Sequence, residues 1–178
     1  MQADAASRRG LVQALDRELG AHAASRSRKN VIRYFEDFEI GERNTTGEHL
    51  VTSEEILDFA RRWDPQPFHT DERKAEQSVF RGLTASGAHT FAISVLLRHQ
   101  FQPKPAVLAS LGYDELRFPN PVRPGDRLSF RSECLEKRES RSKPDRGIIV
   151  FRAQVLNQDG QPVVTMKSTV MVARRPAA

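Results

Sequence analysis

The second half of the chain alternates apolar and polar residues, which is the pattern of β-strands with one buried face. The alternation is clearest in residues 162–173, and similar segments cover residues 106–118, 127–137 and 147–157. A shorter segment of this kind covers residues 45–51. The run Asn-Gln-Asp-Gly at residues 157–160 favours a hairpin between the last two strands. The pattern therefore predicts an antiparallel sheet of about five strands.

A helix that begins after Thr52 is predicted by one apolar face and by signals at both ends. Glu55 follows Thr52 by three residues, which is the spacing of a capping box. Pro65 disfavours helical geometry at Asp64, so the helix should end there. Four residues at helical spacing form the apolar face: Ile56, Phe59, Ala60 and Trp63.

A second long helix is predicted over residues 87–97, which are apolar nearly all round. Such a helix is expected to be buried on most sides. A short helix is expected at residues 72–77, and a loop at residues 80–83. Together the elements predict an α+β fold, in which the antiparallel sheet wraps around the long central helix.

The composition is typical of a soluble globular protein, since 38% of the 178 residues are hydrophobic and 29% are charged. No apolar run approaches the roughly 18 residues that span a bilayer, so no membrane partner is expected. Residues 1–30 are rich in Ala, Ser and Arg. We expect them to form a flexible or weakly helical extension, followed by one domain over residues 31–178.

The net charge of +5 is concentrated near the N-terminus. Residues 1–30 hold six basic and three acidic side chains, so +3 lies there and +2 remains for the domain. No basic stripe interleaved with aromatic residues appears, and nucleic-acid binding is therefore not expected. Cys134 is the only cysteine, which excludes an internal disulfide and fits a reducing, cytoplasmic location. Its place in a predicted strand indicates a core thiol.

A candidate acid–base pair follows the first helix. Asp64 and His69 are separated by a segment in which Pro65 and Pro67 restrict the backbone. This restriction lowers the entropy cost of holding the two side chains in one geometry. Histidine transfers protons near neutral pH, so the pair points to general acid–base catalysis. A solvated aspartate and a structural histidine are the alternatives. Asp71 lies nearby, but no HxxxH, HExxH or Cys/His cluster supports a metal site.

Ser86 and Gly87 stand at the predicted start of the central helix. Glycine allows a ligand to approach the backbone closely, and the first N–H groups of a helix are free to bind an anion. A thioester oxygen that becomes an enolate would be stabilised there. The alternative is an ordinary serine cap followed by a packing glycine.

With these residues in place, the sequence resembles the MaoC-like hydratase/dehydratase family, which includes the R-specific enoyl-CoA hydratases. The resemblance runs from about Tyr34 to the C-terminus. It differs from the strongest hydratase pattern at Gln66, where those members carry Asn, and at Ser86, where they often carry His. The matching residues are 34–38, 41, 51–52, 59–60, 64–71, 85–87 and 118–126.

The resemblance implies a hotdog fold and a homodimer or a larger assembly of dimers. It implies an acyl thioester of coenzyme A as substrate, without metal or redox cofactor; an acyl carrier protein is the alternative carrier. The implied reaction adds water to a 2-enoyl thioester to give a 3-hydroxyacyl thioester, or removes it. A hotdog acyl-CoA thioesterase and a non-catalytic acyl-CoA-binding subunit are the alternatives.

The resemblance also implies roles for individual residues. His69 would be the principal base, Asp64 would orient the water and share the proton, and the Gly87 N–H would bind the developing enolate. The neighbouring residues are predicted to contact the substrate, namely Ser86, Pro67, Phe68 and Ala88.

Overall fold

The structure is a computed structural model that describes residues 32–177, so the predicted N-terminal extension lies outside the described residues. The strands of the described residues are β1 Ile32–Arg33, β2 Arg43–Leu50, β3 Lys104–Pro105, β4 Val107–Arg117, β5 Arg127–Glu139, β6 Arg146–Leu156 and β7 Pro162–Ala173. The main sheet has five strands in the order β2-β5-β6-β7-β4, and all neighbouring pairs are antiparallel. The short strands β1 and β3 form a separate parallel pair.

The predicted antiparallel sheet is therefore confirmed, and the bounds of β7 agree with the prediction. The hairpin between β6 and β7 is also present, with Gly160 in a left-handed conformation at φ 73°. Strands β6 and β7 are the most buried strands of this sheet. The predicted core thiol of Cys134 is buried in β5, and burial raises its pKa.

Within residues 32–177, four α-helices connect the strands: α1 Ser53–Trp63, α2 Pro67–Thr70, α3 Glu72–Glu76 and α4 Gly87–Arg98. The Thr52 hydroxyl caps α1 by accepting a hydrogen bond from the Glu55 N–H at 3.1 Å. Only this half of the predicted capping box forms, because the Glu55 carboxylate binds two histidines instead. No helix in residues 32–177 is long and apolar enough to cross a membrane.

The central helix α4 packs against strands β2, β5 and β7. Its buried face carries Thr90, Ile93, Ser94 and Leu97, which are spaced at i, i+3, i+4 and i+7. The core beneath it is formed by side chains from the sheet and the connecting loops, including Val51, Leu128, Phe130, Val155 and Val164. The sheet thus wraps around the helix as predicted.

The opposite face of α4 differs from the prediction, because it is open rather than buried. Ala88 and Ala92 are exposed, and Leu96 keeps 49% of its surface accessible. Trp63, predicted on the buried face of α1, is 68% exposed. Trp63, at the last turn of α1, and the uncovered side of α4 line the same open groove. Both surfaces are exposed because no described residue fills this groove.

Candidate functional site

Asp64 lies where the chain leaves α1. Its N–H donates to the Ala60 carbonyl at 2.9 Å, and its φ of −153° takes the backbone out of the helix. Pro65 follows at once, as the sequence predicted, so the helix cannot continue. The Asp64 side chain keeps 35% of its surface exposed, which leaves the carboxylate accessible to water.

His69 lies on α2, a helical turn that the sequence analysis did not predict. Pro67 occupies the first turn of α2, where its missing N–H costs nothing. The turn places the His69 ring inside the protein, with 7% of the residue exposed. Its Nδ1 lies 2.6 Å from the carbonyl oxygen of Thr84. Because a carbonyl only accepts, Nδ1 carries the hydrogen and Nε2 of the neutral ring keeps its lone pair.

The free Nε2 of His69 faces the carboxylate of Asp64. The distance from Nε2 to Asp64 Oδ2 is 4.0 Å, which is too long for a direct hydrogen bond. Two acceptors at this separation can both receive a hydrogen from one water molecule. The structure therefore brings the predicted pair together in a geometry that can orient and deprotonate a water.

Two phenylalanines form an apolar wall beside the base. Phe68 lies edge-on to His69 with ring centroids 4.5 Å apart, and Phe80 lies 5.2 Å from Phe68. Arg123 holds the Phe80 segment by donating to its carbonyl at 2.6 Å. Phe68 is thus placed beside His69, whereas Pro67 is exposed at the start of α2.

The N-terminus of α4 has the free donors that the sequence predicted. The Ser86 hydroxyl accepts from the His89 N–H at 3.1 Å, and the Ser86 carbonyl accepts from the Thr90 N–H at 2.9 Å. The N–H groups of Gly87 and Ala88 precede these bonds and have no acceptor within the helix. Ser86 is buried, and its hydroxyl serves as the cap of α4.

A close aromatic neighbour accounts for the glycine at position 87. A Cβ at this position would lie 3.2 Å from Cε2 of Phe118, which is half-exposed. The His69–Thr84 hydrogen bond connects α2 to the segment that enters α4, three residues before Gly87. The backbone segment that contains Thr84 therefore positions both His69 and the N-terminus of α4.

A second histidine network was not predicted. Glu55 lies between His49, at 2.9 Å from Nε2, and His89, at 3.1 Å from Nε2. His89 is buried and stacks on Phe59 with centroids 4.5 Å apart. Burial lowers the pKa of His89, although the Glu55 carboxylate opposes this effect. No sequence signal predicts this network beyond Glu55 itself, since its two histidine partners lie on β2 and α4.

Asp71 takes no part in the pair. Its carboxylate caps α3 by accepting from the Lys74 N–H at 3.0 Å, and this bond lowers the pKa of Asp71. Within the part of the chain that the structure describes, no three His, Cys, Asp or Glu side chains are grouped so as to hold a metal.

The sequence and the fold were compared with known proteins. The family described as "MaoC like domain" matches residues 37–150. The uncharacterized protein YdeM of Bacillus subtilis is 32% identical over 78% of this chain and 98% of its own length. Mesaconyl-CoA hydratase of Cereibacter sphaeroides is 29% identical over 84% of this chain, which corresponds to 43% of that enzyme. The MaoC-like dehydratase structure from Rhodospirillum rubrum superposes with a TM-score of 0.75 at 40% identity, covering 82% of this chain and 99% of that one.

Proposed function

Because this chain belongs to the MaoC-like family, we propose that it adds water to a 2-enoyl thioester, or removes water from the 3-hydroxyacyl thioester. Its five-stranded sheet and α4 form the hotdog fold of that family. The relatives support a function within the hydratase/dehydratase group. The name of the Cereibacter sphaeroides relative indicates an acyl-CoA substrate for that enzyme, and the proposal extends this substrate class to the present chain.

One observation carries the proposal: Nε2 of His69, which keeps the lone pair in the neutral ring, faces Asp64 at 4.0 Å. The Thr84 carbonyl fixes the tautomer, so the ring does not have to reorganise before it accepts a proton. A fixed base and a carboxylate that share one water are what hydration of a polarised double bond requires.

In the hydration direction, a water bound to both groups loses a proton to Nε2 of His69 while its oxygen forms a bond to C3 of the enoyl thioester. The electron pair of the C2–C3 double bond moves to the thioester, which becomes an enolate. The proton held by His69, or relayed through Asp64, then passes to C2 as the enolate collapses. Atoms and charge balance, and the product is the 3-hydroxyacyl thioester.

The enolate oxygen would bind at the N-terminus of α4. The Gly87 N–H is free of intrahelical acceptors, and the helix dipole favours negative charge at this end. Removing one donor of this kind typically costs about 10²–10³ in rate. Ser86, Pro67, Phe68 and Ala88 are proposed to contact the substrate, with Phe68 supplying the apolar wall beside the base.

The proposed assembly is a homodimer or a dimer of dimers. Strand β4 is an edge of the sheet, and three of its apolar residues, Val107, Leu108 and Leu111, are each about half exposed. An unpaired apolar edge of this kind is suited to pairing with a second copy. The carrier is proposed to be coenzyme A or an acyl carrier protein, and the location to be the cytoplasm.

Incubation with crotonyl-CoA tests the reaction. We expect the enoyl-thioester absorbance to fall and a product heavier by one water to appear in mass spectra. A thiol reagent run in parallel should detect no coenzyme A release. Rapid thiol release would instead indicate a thioesterase, and tight binding without turnover across chain lengths would indicate a binding subunit. Either result would overturn the proposal.

A further inference from the structure

A second cavity lies at the other end of α4, between its C-terminal half and the sheet. It has a volume of about 460 Å³, within the range of roughly 300–1,000 Å³ that holds small organic ligands. Its walls include Val95 on α4 and four side chains from the loop after α4 and the sheet: Phe101, Phe130, Phe151 and Val170. Neither Asp64 nor His69 lines it.

The charged residues that line this cavity are all basic. Arg33, Arg98, His99 and Lys104 contribute to its surface, and no Asp or Glu does. Arg33 is already neutralised, because it pairs with Glu42 outside the cavity. Among residues 32–177, no carboxylate lies within ion-pair distance of Arg98. An apolar chamber with an uncompensated guanidinium favours an anionic guest.

The guanidinium of Arg98 is held in a fixed orientation. Its Nη2 donates to the Tyr113 hydroxyl at 2.8 Å, and its Nη1 lies 3.4 Å from the Ser168 hydroxyl. Its Nε is buried and has no acceptor among the described residues. The dipole of α4 explains why a cation is stabilised at this helix end. The dipole does not explain why the Arg98 guanidinium is enclosed, since a solvent-exposed arginine at this helix end would interact with the dipole equally well.

We propose that this cavity binds an apolar ligand that ends in a carboxylate, with the carboxylate on Arg98. A guanidinium forms paired hydrogen bonds with a carboxylate, which a lysine cannot reproduce. The Tyr113 hydroxyl accepts from Arg98 and so holds the guanidinium in place for such a ligand. The phenylalanines would enclose the hydrocarbon part.

The carboxylate site on Arg98 lies away from the catalytic residues of the proposed hydration site. Arg98 follows Gly87 by eleven residues on α4, and a rise of 1.5 Å per residue puts them about 16 Å apart. The inference therefore does not depend on the proposed reaction. Loss of crotonyl-CoA hydration and loss of ligand binding can be observed independently.

Isothermal titration of the full-length protein with decanoate and with decanol tests the inference. We expect decanoate to bind at least tenfold more tightly than decanol, because only decanoate compensates the charge of Arg98. Arg98→Met should weaken decanoate binding at least tenfold and leave decanol binding unchanged. Arg131→Met is the matched control, since it removes the same charge from an exposed position on β5.

Two further variants keep the test decisive if Arg98→Met lowers the melting temperature. Arg98→Lys keeps the positive charge but loses the paired N–H donors of the guanidinium, and Tyr113→Phe keeps the ring but loses the hydroxyl. Each variant should therefore weaken decanoate binding several-fold. Equal binding of decanoate and decanol, absence of decanoate binding to the wild type, or full affinity in these variants would overturn the inference.

Discussion

Nδ1 of His69 and the carbonyl oxygen of Thr84 lie 2.6 Å apart, and this contact decides which nitrogen of the ring can act as a base. The acceptor is a main-chain atom, so the tautomer depends on the path of the backbone into α4 rather than on a side chain. Nε2 is left facing Asp64 at 4.0 Å.

Asp64→Asn should reduce kcat for enoyl-thioester hydration by about 10²-fold or more, because the amide cannot share the proton. The melting temperature should change little, since the Asp64 side chain is 35% exposed and makes no hydrogen bond with other residues in the range 32–177. Asp58→Asn is the control, because Asp58 is an exposed carboxylate on the outer face of α1. Equal activity in the two variants would remove Asp64 from the site.

Ser86→Ala should cost about 1 kcal/mol of stability, because it removes the cap that accepts from the His89 N–H. If Ser86 also contacts the substrate, KM should rise. Thr52→Ala removes the equivalent cap from α1 and should cost a similar free energy of unfolding with KM unchanged. A KM that is unchanged in Ser86→Ala would reduce Ser86 to a structural cap.

Much of this fold follows from local sequence patterns, whereas the site depends on contacts that those patterns do not encode. The alternation in residues 162–173 and the Thr52 and Pro65 signals act over a few residues, so they predicted β7 and α1 well. The turn α2 was missed, because two closely spaced prolines favour extended backbone before each of them.

The partners of the functional side chains are set by tertiary structure. His69 binds a backbone atom fifteen residues away, which has no side-chain signature. Glu55 was expected to complete a capping box, but His89, 34 residues away, competes for its carboxylate. The open face of α4 was missed because an apolar helix looks the same in sequence whether its own chain or another surface covers it.

Gly147→Ala should lower the free energy of unfolding by about 1–3 kcal/mol, as expected for overpacking in a core. A Cβ at this position on β6 would collide with the ring of Phe35, which is only 5% exposed. Gly112→Ala on β4 is the control, because its Cβ would meet no atom within 4 Å. Thermal unfolding measures both, and equal melting temperatures would contradict this packing.

Stability should fall below about pH 6.5, in part because burial lowers the pKa of His89. Below that pH the unfolded chain binds a proton at His89 more readily than the folded protein does, so acid favours unfolding. Glu55 opposes this effect without reversing it. His89→Gln keeps a donor for Glu55 but does not titrate.

The measurement for His89 is the loss of melting temperature between pH 7.5 and pH 5.5. The loss should be smaller in His89→Gln than in the wild type. His99→Gln, which changes an exposed histidine, should behave as the wild type does. The same loss in all three proteins would show that His89 does not contribute to the pH dependence.

The most direct test of the account is crotonyl-CoA hydration by His69→Asn. The asparagine amide keeps a donor for the Thr84 carbonyl but lacks a base in the position of Nε2, so the fold should survive. We predict a wild-type melting temperature and a kcat reduced by at least 10²-fold. A folded His69→Asn protein that hydrates crotonyl-CoA at nearly the wild-type rate would contradict the assignment of His69 as the base.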